Sequence, residues 1–540
     1  MRVVTFLLAF IVATATMQSL GASGAHIMFS VLTHTNSHVY VQSGIALEAL
    51  SRGHDVSFLW PSQYGRFAGA VADAAGASGA TGRVLRSHFV EDSREVVEDL
   101  RGMWDEMVRQ PRNSNLNDWM EFIGRSYEAT FAERKAVLEA SDADVVVCDF
   151  FDYVCMDVCD AMGMGSRVVI SLGGSILGFG GYEAAPWLPG LFADVEPLEE
   201  YGFAARLFDA VTFPAVVVRH LIPMTAGLNE VRSRFGFAPL TSPADPFEDK
   251  LVVVPAPIGW EVPQRLPPTI IPFAPSPRLR LGADLPDSVH EDAKWLDAAA
   301  GAGVPVVCGA FGSMTRPTLA AWKAIIAGVL AAHPKVRVLL AGKPMAPATT
   351  GELEAWVGTL GPDALRVRLV SYLDLPSTLA HQAVVASISH GGMYSWFESI
   401  RAGVPLLVFP AYGDQISNLV RLAWHNAGAG ALIQTIDIDI VEREARKILG
   451  NLATYQAGAA RARTLLEVAD NETRVMDMID RVIVMGGSDF LAVPAIGKGG
   501  AARNMDVVVV ITAAVTFLLS SLCWWGYGCA SAGSAKTKTH

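Results

Sequence analysis

The groups best suited to chemistry are concentrated between Ser389 and Asn418. Ser389-His390-Gly391-Gly392 is followed by Ser395, Glu398, Gly403-Val404-Pro405, Pro410, Asp414-Gln415 and Asn418. An apolar run before this set and a periodic segment after it make a strand, a Gly-rich turn and a helix. Gly391 and Gly392 permit positive backbone dihedrals and close approach of a ligand, and the helix aims its first amides at an anion such as a diphosphate. His390 and Ser395 offer donors to phosphate oxygens. Glu398, about one turn further on, can accept from two adjacent hydroxyls, as on a ribose. A Gly-Gly pair by itself is equally an ordinary strand-to-helix junction, so the spacing of the whole set carries the signal.

Those residues need a scaffold, and the chain is long enough to supply one. Its 540 residues exceed a single hydrophobic core and predict two domains plus accessory segments. With 51% apolar and 18% charged residues it is not a disordered chain. A net charge of −12, with no basic run before the last few residues, excludes a nucleic-acid binder. Short apolar runs at His26–Leu32, Asp55–Leu59, Ala143–Cys148, Arg167–Ser171 and Leu251–Val254 enter polar or Gly-rich loops, as parallel strands covered on both faces do. A second series comprises Pro305–Cys308, Val336–Ala341, Val367–Val370, Val384–Ile388 and Pro405–Phe409. Prolines crowd the stretch between them, from Pro263 to Pro286, and bar a helix there. The organisation predicted is an α/β domain over 26–261, a Pro-rich linker over 262–286 and a second doubly wound domain over 287–500. A ligand cleft lies between the two domains. The charged, less regular stretch from Gly82 to Trp119 reads as helices and loops capping the first domain.

The ends read as addresses. Arg2, the uncharged run Val3 to Ala15 and small residues near Ser23 and Ala25 have the layout of a signal peptide over 1–25. Val507 to Cys529 carries no charge over 23 residues, enough to cross a hydrocarbon core of roughly 30 Å, and Trp524, Trp525 and Tyr527 suit its interface. A tail over 530–540 would then be cytosolic and the body luminal. Lys536 and Lys538 resemble a dilysine retrieval signal of the endoplasmic reticulum. Asn471-Glu472-Thr473 is a sequon, making Asn471 a candidate for glycosylation in that compartment. Cys148, Cys155, Cys159 and Cys308 are too sparse for a disulfide framework and lack zinc-site spacing. Small apolar packing is their expected role, with one luminal disulfide as the alternative.

Taken with its spacing, the stretch from His390 to Asn418 resembles the signature of the UDP-glycosyltransferase family, which contains UDP-glucuronosyltransferases and plant small-molecule glycosyltransferases. The resemblance implies a GT-B fold, two Rossmann-like doubly wound domains facing a cleft, with a C-terminal transmembrane helix. It implies His390, Gly391, Gly392 and Ser395 on the diphosphate, Glu398 on the ribose, and Asp414 and Gln415 on the donor sugar. Phe311-Gly312-Ser313-Met314 looks like the family's Gly-Ser loop, with Ser313 on the diphosphate. In the first domain, Asn36-Ser37-His38 and the following Arg52-Gly53-His54 match the spacing around the family's catalytic histidine. Asp149, in Cys148-Asp149-Phe150, matches its aspartate partner. The activity implied is inverting transfer of a hexose or hexuronic acid from a UDP-sugar to a lipophilic small molecule, without a cofactor or metal.

The chemistry asks for such a pair. A hydroxyl attacking an anomeric carbon needs a base poised near neutrality, and imidazole fits when a carboxylate fixes its tautomer. His38 is the expected base, with His34 as its rival, and Asp149 the expected orienter, with Asp152 as its rival. His54 is expected to pack or bond at a turn. Three positions depart from the family. Tyr372 stands where tryptophan stacks on uracil, Leu375 where glutamine contacts the nucleotide, and Tyr394 where asparagine is common near the α-phosphate. Tyrosine can still stack, but leucine cannot hydrogen-bond. Two other readings remain: a sugar-nucleotide epimerase or hydrolase on the same scaffold, and a noncatalytic nucleotide-sugar binder. Asp437-Ile438-Asp439 has the outline of a metal-binding DxD, but reads here as a loop and helix start. Gly178-Phe179-Gly180-Gly181 lacks the context of a dinucleotide fingerprint. The sequence names neither the acceptor nor the oligomeric state.

Overall fold

A computed structural model describes residues 24–32, 35–91, 94–109, 116–174, 222–241, 245–261, 266–277, 287–312, 315–345 and 348–491. The predicted membrane span 507–529, the tail 530–540 and nearly all of the leader lie outside them. Among the described residues no helix is long and apolar enough to cross a membrane.

Two all-parallel sheets organise the chain. The first holds seven strands: β1 (His26–Ser30), β2 (Asp55–Pro61), β3 (His88–Val90), β4 (Val145–Asp149), β5 (Val168–Ser171), β6 (Leu251–Val254) and β7 (Ile270–Pro272), in the order β3-β2-β1-β4-β5-β6-β7. The second holds six: β8 (Val306–Ala310), β9 (Arg337–Ala341), β10 (Val367–Val370), β11 (Val384–Ser389), β12 (Leu406–Val408) and β13 (Gly428–Gly430), in the order β10-β9-β8-β11-β12-β13. In both, the order reverses beside the first strand of the series. Such a switch point opens a crevice at the carboxyl ends of the strands. Alternate residues feed opposite cores, as buried parallel strands require: Ile27, Phe29, Val145 and Val147 on one face, Met28, Val146 and Cys148 on the other.

Strand β7 falls inside the predicted linker. Pro272 is tolerated there because β7 is an edge strand, with one side free of ladder bonds. The last α-helix among the described residues, Glu472–Met485, leaves the second sheet and packs on the helix Asn36–Ser51 of the first domain, where Arg52 bonds Asp477 and Asp480 at 2.9 and 2.8 Å. The helix Arg94–Arg109 also crosses between domains, beyond the capping role expected of it. Val108 joins the core of the second domain, and Asp105 takes a two-pronged ion pair from Arg316 at 3.0 and 2.6 Å.

Of the two roles expected of the cysteines, packing and one disulfide, the structure shows both. Cys148, last but one in β4, is disulfide-bonded to Cys155 on the helix Tyr153–Ala161. Cys159 stays a buried thiol, pushed up to about 12 by burial. The three sulfurs lie within 4.8 Å of one another, but the disulfide consumes two of the thiolates a metal would need.

Candidate active site

His38 lies in the first turn of the helix Asn36–Ser51, and Asp149 is the last residue of β4. Strand β1 pairs with β4, so the loop leaving β1 carries the imidazole over the end of its neighbour. His38 Nδ1 and Asp149 Oδ2 are 2.6 Å apart, both side chains buried. The other carboxylate oxygen accepts from the Phe151 amide at 3.1 Å. Phe150 and Phe151 stack on the imidazole with centroids 5.4 and 5.8 Å away. Nδ1 is thereby tied to a carboxylate, which fixes the proton there and makes Nε2 the basic nitrogen.

Asp152 separates from Asp149 on geometry. Asp152 is an N-cap, accepting from the Cys155 amide at 3.1 Å, and is ion-paired with buried Arg134 at 2.9 Å. Burial raises its pKa, against the pull of Arg134. His34 lies outside the described residues. His54 bonds at a turn as expected, accepting from the Ala25 amide at 3.3 Å and facing Asp480 at 2.9 Å.

Across the cleft, β11 ends in the turn Ser389 to Gly392 and the helix Met393–Arg401 follows. Gly391 takes φ +82°, a conformation that favours glycine, and a Cβ there would come within 2.8 Å of Val408. Gly392 is the N-cap and brings no side chain to the first-turn amides, the arrangement that suits an anion. The His390 ring is wedged between two glycines. A Cβ on Gly312 would stand 2.7 Å from its Cε1, and one on Gly392 2.3 Å from its Nε2. Burial pushes this imidazole down to about 4, so it is neutral near pH 7. Its Nδ1 is buried without a hydrogen-bond partner among the described residues. Ser395 is half-buried in the first turn of the helix, and Glu398 is buried one turn along.

Asp414 and Gln415 open the helix Asp414–Trp424. Gln415 Oε1 accepts from the Ala411 amide at 3.0 Å. Asn418 donates to Gly391 O at 2.9 Å and to Asp414 Oδ2 at 3.1 Å, fastening the Gly turn to the acidic residue. Asn418 had appeared in the motif without a role; this clamp supplies one. Gly173 and Gly174, separated from β5 by Leu172, were also without a role. A Cβ on Gly173 would meet His38 Cδ2 at 2.2 Å, and one on Gly174 would meet Asp414 Oδ2 at 3.1 Å. Their signal was a Gly-Gly pair following a strand, like the pair at Gly391-Gly392. They bring His38 of one domain and Asp414 of the other to a common boundary.

The three departures fall into different environments. Tyr372, just past β10, is 44% exposed and available as a stacking surface. Leu375 is 8% exposed and packs with Leu373, Leu379 and Val404, as an apolar residue opening a short helix does. Tyr394, expected near the α-phosphate, is buried and packs edge-on against Tyr40 of the first domain at 5.1 Å. Ser313 lies outside the described residues, and so does the Gly178 segment. Asp437 is a helix N-cap, accepting from the Ile440 amide at 2.8 Å. Asn471 caps the helix Glu472–Met485, is exposed, and accepts from the Thr473 amide at 3.0 Å.

Residues 284–458 match the family described as UDP-glucoronosyl and UDP-glucosyl transferase. Among curated proteins, UDP-glucuronosyltransferase 3A1 of Homo sapiens is 28% identical over 130 residues, which is 24% of this chain and 25% of that protein. The matched segment thus spans about a quarter of that relative's length. Among solved structures, the glycotransferase of kitacinnamycin aligns over 85% of this chain and 99% of its own, with TM-score 0.54 and 16% identity. Glycosyltransferase VinC in complex with DTDP aligns over 85% and 100%, with TM-score 0.53 and 18% identity. Both neighbours share the two-domain fold, and the family signature sits in the second domain, where the Gly turn, Glu398 and Asp414 lie. Residues 284–458 are thus similar to the UDP-glucoronosyl and UDP-glucosyl transferase family, and the chain has the GT-B architecture of two parallel-sheet domains.

Proposed function

We propose that the protein transfers a glycosyl group from a UDP-sugar to a hydroxyl of a lipophilic small molecule, with inversion at the anomeric carbon. The observation that carries this reading is the 2.6 Å contact of His38 Nδ1 with Asp149 Oδ2 at the cleft. The acceptor hydroxyl gives its proton to His38 Nε2 as its oxygen bonds the anomeric carbon. The bond from that carbon to the diphosphate oxygen breaks, and UDP leaves with the electron pair. Asp149 holds the imidazole and stabilises its cation. His390, Ser395, Ser313 and the amides of the helix Met393–Arg401 receive the diphosphate, so departure needs no side-chain acid and no metal. Glu398 takes the ribose, Asp414 and Gln415 the sugar hydroxyls, and Tyr372 stacks on the base. The uncharged segment 507–529 anchors the chain in the endoplasmic-reticulum membrane with its body luminal, which favours acceptors that partition into the bilayer. There the exposed Asn471 carries a glycan.

The spacing around His38 argues against isomerisation or hydrolysis of the donor, and simple binding would not need the pair at all. The test is UDP release from UDP-glucose and UDP-glucuronic acid with and without a panel of phenols and lipophilic alcohols, alongside calorimetry with UDP, ADP, GDP and TDP. Acceptor-dependent release and selective UDP binding are expected. Equal release without acceptor, or no turnover in any combination, contradicts the reading.

A further inference from the structure

Gln42 lies one turn beyond His38 on the same helix and is completely buried. Its amide nitrogen donates to Ser30 O at 2.9 Å on β1 and to Ser171 Oγ at 2.9 Å on β5, and shares a hydrogen with Val147 O at 3.3 Å on β4. Its amide oxygen accepts from Trp60 Nε1 at 3.0 Å on β2. One side chain thus bonds four strands that are adjacent in the sheet order β2-β1-β4-β5. The amide cannot flip without loss, because indole N–H only donates and a strand carbonyl only accepts.

The partners enclose the strand end that carries Asp149. Ser171 stands opposite Asp149 in the ladder, Ser30 stands opposite Cys148, and Val147 is two residues upstream. The Phe150 amide, next along, bonds Ser171 O at 3.1 Å. Apart from the His38–Asp149 contact itself, the helix's core residues, among them Val39, Ile45, Ala46 and Ala49, are apolar, and apolar contacts set distance but only loosely set rotation and axial position. A directional amide one turn from His38 fixes both.

We propose that Gln42 is a positioning residue that sets the register of the His38 helix on the sheet and so holds the imidazole at hydrogen-bonding distance from Asp149. This deepens the transfer reading above and rests on it. A Gln42→Met variant keeps length and apolar volume but loses all four bonds. In the full-length protein it should lower kcat by about ten- to a hundredfold while the UDP dissociation constant stays within twofold, since Gln42 lies outside the donor domain. A general packing defect would reduce kcat by the same factor in any background. A register device should instead matter little once its target is gone, so Gln42→Met added to Asp149→Asn should cost less than threefold more. Ser171→Ala, which removes a single acceptor, should lower kcat three- to tenfold and serves if Gln42→Met does not fold. The inference is overturned if kcat is unchanged in the folded variant, or if the Gln42→Met factor is the same with and without Asp149. Undiminished turnover in His38→Ala would overturn the transfer reading itself. Loss in His38→Ala with normal turnover in Gln42→Met would overturn the positioning role alone.

Discussion

Gly173 lies flat against the imidazole of His38, so close that a single added carbon would stand 2.2 Å from Cδ2 and 2.5 Å from Nε2. The ring has little room to yield, being bonded to Asp149 and stacked with Phe150 and Phe151. Gly173→Ala is therefore expected to displace His38, lowering kcat at least a hundredfold while UDP affinity is retained, as read from steady-state kinetics and calorimetry. Wild-type kcat in this variant would show that the ring moves freely.

His390 gives the protein two opposite responses to acid. In the folded protein its pKa is lowered to about 4 against an unfolded value near 6.5, so the unfolded state takes up the proton first. Stability should fall as pH drops from about 6.5 to 4, by up to ~3 kcal/mol, and His390→Gln should flatten that slope in urea titrations. A bound diphosphate raises the same pKa, so binding takes up protons. UDP affinity should therefore strengthen as pH falls through the bound-state value. Calorimetry near pH 6 in two buffers of different ionisation enthalpy reads that uptake directly. Proton release on binding would remove His390 from the diphosphate.

Restoring the family's glutamine is not expected to restore a nucleotide contact. Leu375 packs among Leu373, Leu379 and Val404, so Leu375→Gln should lower stability by about 1–3 kcal/mol and leave UDP affinity unchanged. Tighter UDP binding in this variant would place the side chain at the nucleotide after all.

Arg134 and Asp152 form a buried pair, and Arg134 also donates to Val31 O at 2.7 Å and Ser30 Oγ at 3.2 Å. Arg134→Met leaves the carboxylate uncompensated and should cost about 3–5 kcal/mol in chemical denaturation. A loss below 1 kcal/mol would mean that Asp152 folds protonated at no penalty.

What was legible in the sequence follows from where the signal is local. Long apolar runs such as Val145 to Cys148 and Val336 to Ala341 announced central strands, because both of their faces are buried. His88–Val90, Ile270–Pro272 and Gly428–Gly430 did not, each being three residues long and lying at a sheet edge, where little apolar surface is needed. The Gly turn, Glu398 and Asp414 were readable because one continuous stretch carries them. The 2.6 Å approach of His38 to Asp149, 111 residues apart, matched the partner that the family resemblance had named. Gln42 and the Cys148–Cys155 pairing were silent, since each is defined by partners that only the folded sheet brings together. Tyr394 shows the limit of position-by-position transfer. Its ring is buried against Tyr40 of the first domain, a contact between the domains.

The most direct test of the account measures kcat and the UDP dissociation constant together for wild type, His38→Ala and Asp149→Asn with one UDP-sugar and one acceptor. His38→Ala should lose at least a thousandfold in kcat and Asp149→Asn at least a hundredfold, consistent with the usual size of general-base catalysis. UDP affinity should remain within twofold in both. Turnover by His38→Ala at the wild-type rate would contradict the assignment of the base and the mechanism built on it.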